Sequence, residues 1–119
     1  MNELPQWVIN FNKKDLVKQY VDKPWKTLLP LEQYTESLPD DNPYETPFNK
    51  NNKPVFPYDL PELFKAEGYG IIKKTPFGNS LTKDFAIETI RSENMGKNNT
   101  TDIVAISFSS TDYIGHQFG

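Results

Sequence analysis

The chain has 119 residues, of which 36% are hydrophobic and 13% aromatic, enough for at most one ordinary domain with a modest core. Its 13 basic and 16 acidic residues give a net charge of -3, which argues against a nucleic-acid-binding protein. Cysteine is absent, so disulfides, thiolate nucleophiles and cysteine-bound metals are excluded. His116 is the single histidine, so no site within this sequence can use two imidazoles.

Targeting and membrane segments are not evident in this sequence. No apolar run approaches the ~20 residues that a membrane-spanning helix needs. The first residues, MNELPQWVIN, lack the basic start and the apolar stretch of a signal peptide. If the protein is exported, we expect its export signal to lie outside this sequence.

The first predicted element is a short helix over residues 13–22. Asn12 can serve as its N-cap, and Pro24 forces its end because proline cannot continue a helix. We expect Trp7 and Phe11, which precede it, to pack on this helix.

A long excursion follows, because residues 24–61 hold eight of the ten prolines. Turn-forming residues predict turns at residues 39–42 and 49–53. The excursion is also rich in aromatic residues, which argues against disorder: Tyr34, Tyr44, Phe48, Phe56 and Tyr58. We favour an ordered loop pinned by these side chains. The alternative is a peptide- or sugar-binding face in which Tyr44 and Phe48 contact the ligand.

Two helices are predicted in the second half of the chain. The first runs from Leu60 to Glu67, where glycines end it. The second is capped by Asn79 or Ser80 and continues to about Asn94.

A strand is predicted over residues 103–108, IVAISF, after a polar loop. The run of β-branched residues is typical of a strand buried on both faces in a parallel sheet. Helix, loop and strand form half of an α/β unit, so the fold class is predicted as α/β. Residues 77–119 then form a piece of an α/β core, and residues 1–76 a cap-like or insertion-like segment.

Asp112 and His116 follow the predicted strand, where ligands gather in open α/β sheets. If these residues are helical, their side chains lie on one face within ~6 Å of each other. A carboxylate and an imidazole could then bind one zinc ion at ~2.0–2.2 Å each. The alternative is that Asp112 and His116 are an ordinary exposed pair in a polar loop. Two ligands also fall short of the three that a catalytic zinc ion normally takes from the protein. A third ligand within this chain could be Asp84 or Asp102.

Two other catalytic motifs are missing. Ser107, Ser109 and Ser110 lie near His116, but no G-x-S-x-G nucleophile elbow is present. The G-x-x-x-x-G-K-[ST] loop that cradles phosphates is also absent. Neither a serine hydrolase nor a phosphate-loop protein is therefore favoured.

Two motifs carry a resemblance to a known family. T-P-F-G-N at residues 75–79 and S-F-S-S-T-D-Y-I-G-H-Q-F-G at residues 107–119 resemble the alkaline phosphatase superfamily. The branch is that of bacterial alkaline phosphatases related to type I phosphodiesterases and nucleotide pyrophosphatases. The upstream sequence is also similar to this branch, so the resemblance covers nearly the whole chain. The last thirteen residues are its most specific part.

The resemblance implies a twisted α/β core that holds two zinc ions beside a threonine or serine nucleophile. Asp112 and His116 would be two of the three ligands of one zinc, with a histidine beyond residue 119 as the third. The nucleophile and the ligands of the other zinc have no matching positions here. The resemblance therefore implies no catalytic residue in this chain beyond the two metal ligands.

The expected function is that of a fragment of a zinc-dependent phosphatase or phosphodiesterase, inactive by itself. The resemblance implies a phosphate-ester substrate, a phospho-enzyme intermediate and a periplasmic or secreted location. We also expect self-association through the exposed edge of the strand at residues 103–108. The alternative is a non-catalytic binding or structural subdomain that uses its aromatic, proline-rich face.

Overall fold

The described part of the chain, residues 3–48 and 53–118 of a computed structural model, is helical and elongated, measuring 54 × 31 × 22 Å. Its α-helices in chain order are α1 (Gln6–Lys13), α2 (Leu16–Tyr20), α3 (Leu60–Glu67), α4 (Pro76–Ser92) and α5 (Ser110–Phe118). Two 3-10 helices lie at Leu31–Gln33 and Gly68–Lys74.

The predicted helix over residues 13–22 is confirmed only for Leu16–Tyr20, because the chain breaks between α1 and α2. Asp15 has a left-handed backbone with φ of 47°, which a continuous right-handed helix does not allow. Asn12, the predicted N-cap, lies inside α1. The first helix begins earlier than predicted, directly after Pro5.

The aromatic side chains of α1 pack on α4 in addition to residues 13–22, where the Lys14 Nζ lies 5.5 Å from the centroid of the Phe11 ring. Trp7 and Phe11 lie with their ring centroids 5.4 and 5.1 Å from that of Phe85. The Trp7 indole Nε1 also donates a hydrogen bond of 2.6 Å to the Glu93 carboxylate. These contacts anchor the N-terminal helix to the longest helix of the chain.

Helix α3 is confirmed at the predicted residues. The Asp59 carboxylate accepts a hydrogen bond of 3.1 Å from the Glu62 N–H, which caps the first turn. Gly68 ends the helix with a φ of 66°. The 3-10 helix that follows buries Ile71 and Ile72 in the core.

Helix α4 begins at Pro76, before the predicted caps Asn79 and Ser80. Proline is favoured at the first helical position, because its φ is already helical and its missing N–H is not needed there. The last residue of the helix is Ser92, two residues before the predicted end.

Of the five aromatic residues expected to pin the proline-rich excursion, Phe48, Phe56 and Tyr58 pack in the core, whereas Tyr34 and Tyr44 are exposed. An aromatic cluster, with neighbouring rings in tilted or edge-to-face contact, consists of Trp25, Phe48, Phe56, Tyr58 and Phe118. Trp25 and Tyr58 form an isolated antiparallel bridge with N···O distances of 2.8 and 2.9 Å. Bends occur within the turn predicted at residues 39–42, whereas most of the turn predicted at residues 49–53 lies outside the described residues.

The predicted strand at residues 103–108, and with it the α/β helix–strand unit, is wrong. Residues 101–108 have no regular secondary structure, and the described residues contain no sheet. Ile103 is 87% exposed, and Val104, Ile106 and Phe108 are also exposed. A strand forms only by pairing with a neighbouring strand, and the described part of the chain offers none.

Two related expectations stay predictions. The strand edge through which self-association was expected is not formed. Self-association itself stays a prediction, because the apolar side chains of residues 103–108 are exposed and could contact a second copy of the chain. The division of the chain into residues 1–76 and 77–119 also stays a prediction.

Among the described helices, none is both long enough and apolar enough to cross a bilayer.

Candidate functional site

Helix α5 brings Asp112 and His116 together at its exposed face. They are four residues apart, and the His116 Nε2 lies 3.7 Å from the Asp112 Oδ1. Their side chains are 77% and 80% exposed, so solutes can reach both. The helical spacing assumed from the sequence is therefore the spacing that the structure shows.

The donor atoms of this pair are spaced suitably for one metal ion. Two ligand atoms bound to zinc at ~2.0–2.1 Å in a tetrahedral arrangement lie ~3.4 Å apart. The observed separation of 3.7 Å is close to this value. The same geometry also describes an ordinary surface pair at (i, i+4) spacing, so it shows that the two residues fit a metal and not that they hold one.

A third protein ligand is not supplied within residues 3–48 and 53–118, where no group of three acidic or histidine side chains could hold a metal. Asp84 is engaged by the Tyr20 hydroxyl and by Lys83. Asp102 accepts hydrogen bonds from the Gly96 N–H and the Asn98 side chain. The arrangement can therefore contribute two ligands to a site that other residues complete.

Asn79 holds the N-terminal end of α5. Its Oδ1 accepts a hydrogen bond of 3.1 Å from the Ser110 N–H, and its Nδ2 donates to the Thr111 hydroxyl at 3.0 Å. Sequence reasoning assigned Asn79 as a cap of α4, but it instead caps α5, which begins 31 residues later. Because the capping residue lies 31 residues before the helix, no local sequence pattern predicts this cap.

Gly78 allows this close contact between α4 and α5. A Cβ atom at residue 78 would lie 2.0 Å from the Ser110 Oγ and 2.8 Å from the Ile72 carbonyl oxygen. Only glycine therefore permits the two helices to meet here without a shift of the backbone.

Gln117, the residue after His116, holds the other end of α5. Its carbonyl oxygen accepts a hydrogen bond of 2.9 Å from the Thr46 N–H, and its side-chain amide donates to the Thr46 carbonyl oxygen. Gln117 is 8% exposed, and Phe118 beside it packs in the aromatic cluster. The sequence analysis missed this contact because it joins residues 71 positions apart.

Comparison with known proteins relates this chain to bacterial enzymes. It is 43% identical over 119 residues to the alkaline phosphatase PhoV of Synechococcus elongatus, covering all of this chain and 22% of that protein. It is 44% identical over 118 residues to the alkaline phosphatase PafA of Elizabethkingia meningoseptica, covering 98% of this chain and 21% of that protein. A protein of Myroides odoratus named a calcium-transporting ATPase is 52% identical over 120 residues, covering 99% of this chain and 22% of that protein.

The structural comparison points to the same enzymes. The crystal structure of wild-type PafA superposes with a TM-score of 0.92 and 43% identity, covering all of this chain and 23% of that one. No family model matches the chain. The chain thus spans between a fifth and a quarter of the length of these relatives, and it belongs to the alkaline phosphatase superfamily.

Proposed function

We propose that this chain is part of a longer zinc-dependent enzyme that hydrolyses phosphate esters through a phospho-enzyme intermediate. In this proposal Asp112 and His116 are two ligands of one of two zinc ions. We also propose a periplasmic or secreted location, as is typical of the alkaline phosphatases to which the chain is similar. The observation that carries the proposal is the Asp112–His116 pair on α5, in a chain that resembles phosphatases along its whole length.

The chemistry of the pair suits a metal ion of this kind. Zinc accepts both imidazole nitrogen and carboxylate oxygen. When bound, zinc supplies positive charge beside the phosphoryl group as negative charge builds up there. In this proposal the remaining ligands and the nucleophile come from the rest of the longer protein.

The remaining residues of the site orient the two ligands. Asn79 holds the first turn of α5 and Gln117 holds its last turn, so the helix between them is supported at both ends. Metal ligands that are positioned before the metal arrives lose less conformational freedom on binding it. The chain's own contribution to the reaction is therefore to bind and orient.

Substitution of the two ligands in the longer protein tests the proposal. Replacing Asp112 by Asn, or His116 by Ala, should lower kcat/KM for an aryl phosphate by at least 100-fold and reduce the zinc content per protein. A control is Asp22→Asn, which neutralises an exposed carboxylate in the loop after α2 and should change neither quantity. Variants that keep full zinc content and activity would refute the ligand assignment. Absence of phosphatase activity in the unmodified protein would refute the function.

The isolated chain should not hydrolyse aryl phosphates above background when zinc is added. It should also bind zinc weakly in calorimetry, because one carboxylate and one imidazole cannot complete a tetrahedral site. Metal-dependent turnover by the isolated chain that is lost in Asp112→Ala would contradict this expectation. Tight binding of one equivalent of zinc would mean that the chain supplies a third ligand.

A further inference from the structure

A cavity of about 1010 Å³ lies between the proline-rich excursion and the start of α4. One side is lined by aromatic rings, with Trp25 and Phe56 meeting edge to face at 5.1 Å between their centroids. Tyr34 and Leu38 line the cavity from the excursion. The size and the lining suit an organic group far larger than a metal ion.

The charge of the cavity is set by two carboxylates and one lysine. Asp40 and Glu45 line it from the excursion, and Lys26 lines it next to Trp25, so the lining carries a net negative charge. The Asp40 carboxylate also accepts a hydrogen bond of 3.0 Å from the Phe56 N–H, which holds it beside an aromatic wall of the cavity. A cation that enters this space meets both carboxylates and aromatic rings.

Among the described residues neither Asp40 nor Glu45 forms an ion pair, although Lys26 lines the same cavity. Burial and the neighbouring charge of Asp40 raise the pKa of Glu45 above its ordinary value. The pKa of an acid rises when its charged form is poorly compensated. A bound cation would lower the cost of keeping both carboxylates ionised.

An unpartnered hydroxyl lies near the same carboxylates. Tyr58 is 6% exposed, and its hydroxyl is buried without a hydrogen-bond partner in the described residues. Burial raises the pKa of Tyr58, and the charges of Glu45 and Asp40 raise it further. Tyr58 does not line the cavity, so its raised pKa reports the negative field of the two carboxylates and not a contact with a ligand.

We propose that the cavity lined by Trp25, Phe56, Asp40 and Glu45 binds a small organic ammonium ion that carries apolar substituents. The aromatic rings provide cation–π attraction and apolar contact, and the carboxylates provide the opposite charge. Recognition of quaternary ammonium groups by aromatic walls follows the same physical principle.

Calorimetric titration of the longer protein with choline tests the binding. Choline should bind saturably at one equivalent, and its uncharged isostere 3,3-dimethylbutan-1-ol should bind at least tenfold more weakly. Glu45→Gln and Asp40→Asn should each weaken choline binding by at least fivefold while preserving the circular dichroism spectrum. The matched control is Asp41→Asn, because Asp41 pairs with Lys53 and does not line the cavity.

Three results would overturn the proposal. Equal affinity for choline and its neutral isostere would show an apolar cavity without charge recognition. No binding of either compound would show that water fills the cavity, and displacement of choline by calcium alone would indicate a metal site. Choline carries no phosphate, so its binding can succeed or fail whether or not the protein is a phosphatase.

Discussion

Gly78 shows how one residue determines the position of the helix that carries the candidate ligands. It lies in the first turn of α4, where any side chain would meet Ser110 and a backbone carbonyl oxygen. The Ser110 side chain could rotate away, but the Ile72 carbonyl is a backbone group that accepts hydrogen bonds from the Thr75 N–H and hydroxyl, so it cannot move easily. The packing of α4 against this 3-10 helix and against α5 therefore depends on the absence of a single methyl group.

Replacing Gly78 by Ala should lower the free energy of unfolding by about 1–3 kcal/mol, because overpacking forces the backbone to shift. The control is Gly115→Ala in α5, where a Cβ atom would meet nothing within 4 Å. Alanine favours a helix by about 1 kcal/mol relative to glycine, so this control should be neutral or stabilising. Chemical denaturation measures both effects, and equal stability of the two variants would contradict the packing argument.

At the scale of elements, the tie between α2 and α4 depends on a hydrogen bond to a charged group. The Tyr20 hydroxyl donates to the Asp84 carboxylate, and the Tyr20 ring stacks on Phe77 with centroids 5.8 Å apart. The hydrogen bond raises the pKa of Tyr20 to about 12 and lowers that of Asp84 below its ordinary value. Both shifts favour the neutral phenol and the ionised carboxylate in the folded chain.

These shifts determine how stability depends on pH. The folded state holds the Tyr20 proton more tightly than the unfolded state, so this contribution is present below pH 10 and is lost as pH rises through about 12. The contribution of Asp84 is present above its unfolded pKa and is lost as pH falls through its lowered folded value.

Tyr20→Phe should keep the stacking on Phe77 but remove the hydroxyl that ionises. The free energy of unfolding should therefore fall less steeply between pH 10 and about 12 than it does in the unmodified chain. Denaturation midpoints measured across this range provide the test. The exposed Tyr44 supplies the control, because Tyr44→Phe should follow the profile of the unmodified chain. An unchanged alkaline slope in Tyr20→Phe would show that the hydrogen bond does not control it.

Local signals predicted some elements, and contacts distant in sequence decided the rest. Helix α3 was predictable because its cap and its terminal glycine lie next to it in the sequence. The helical spacing of Asp112 and His116 was also accessible, because it requires one turn of one helix. The strand at residues 103–108 could not be judged from its own residues, because a strand depends on a neighbour. The roles of Asn79 and Gln117 were likewise hidden, because their partners lie 31 and 71 residues away.

At the scale of the whole molecule, the chain is more extended than an independent domain of its length. Its radius of gyration is 17.8 Å, whereas a compact domain of this size measures about 13.5 Å. Its buried core is correspondingly small and lies around the aromatic cluster and α3. We therefore expect overall stability to depend on a few large side chains.

Phe48→Ala should lower the free energy of unfolding by about 3–5 kcal/mol, because Phe48 is 8% exposed and packs on Tyr58 and Phe118. Tyr44→Ala should change it by less than about 0.5 kcal/mol, because Tyr44 is 81% exposed. Both residues belong to the same excursion, which makes them a matched pair for thermal or chemical denaturation. Similar losses in both variants would contradict the assignment of Phe48 to the core.

The exposed segment between α4 and α5, residues 101–108, also determines where a protease can cleave the chain. Residues 101–108 lack regular secondary structure and are exposed throughout, which is the form of backbone that a protease cleft accepts. A chymotrypsin-like enzyme should therefore cut after Phe108 before it cuts within the helices. The C-terminal peptide cut off in this way would stay bound through its hydrogen bonds to Asn79 and Thr46, so a nicked chain should keep its shape until a denaturant separates the two pieces.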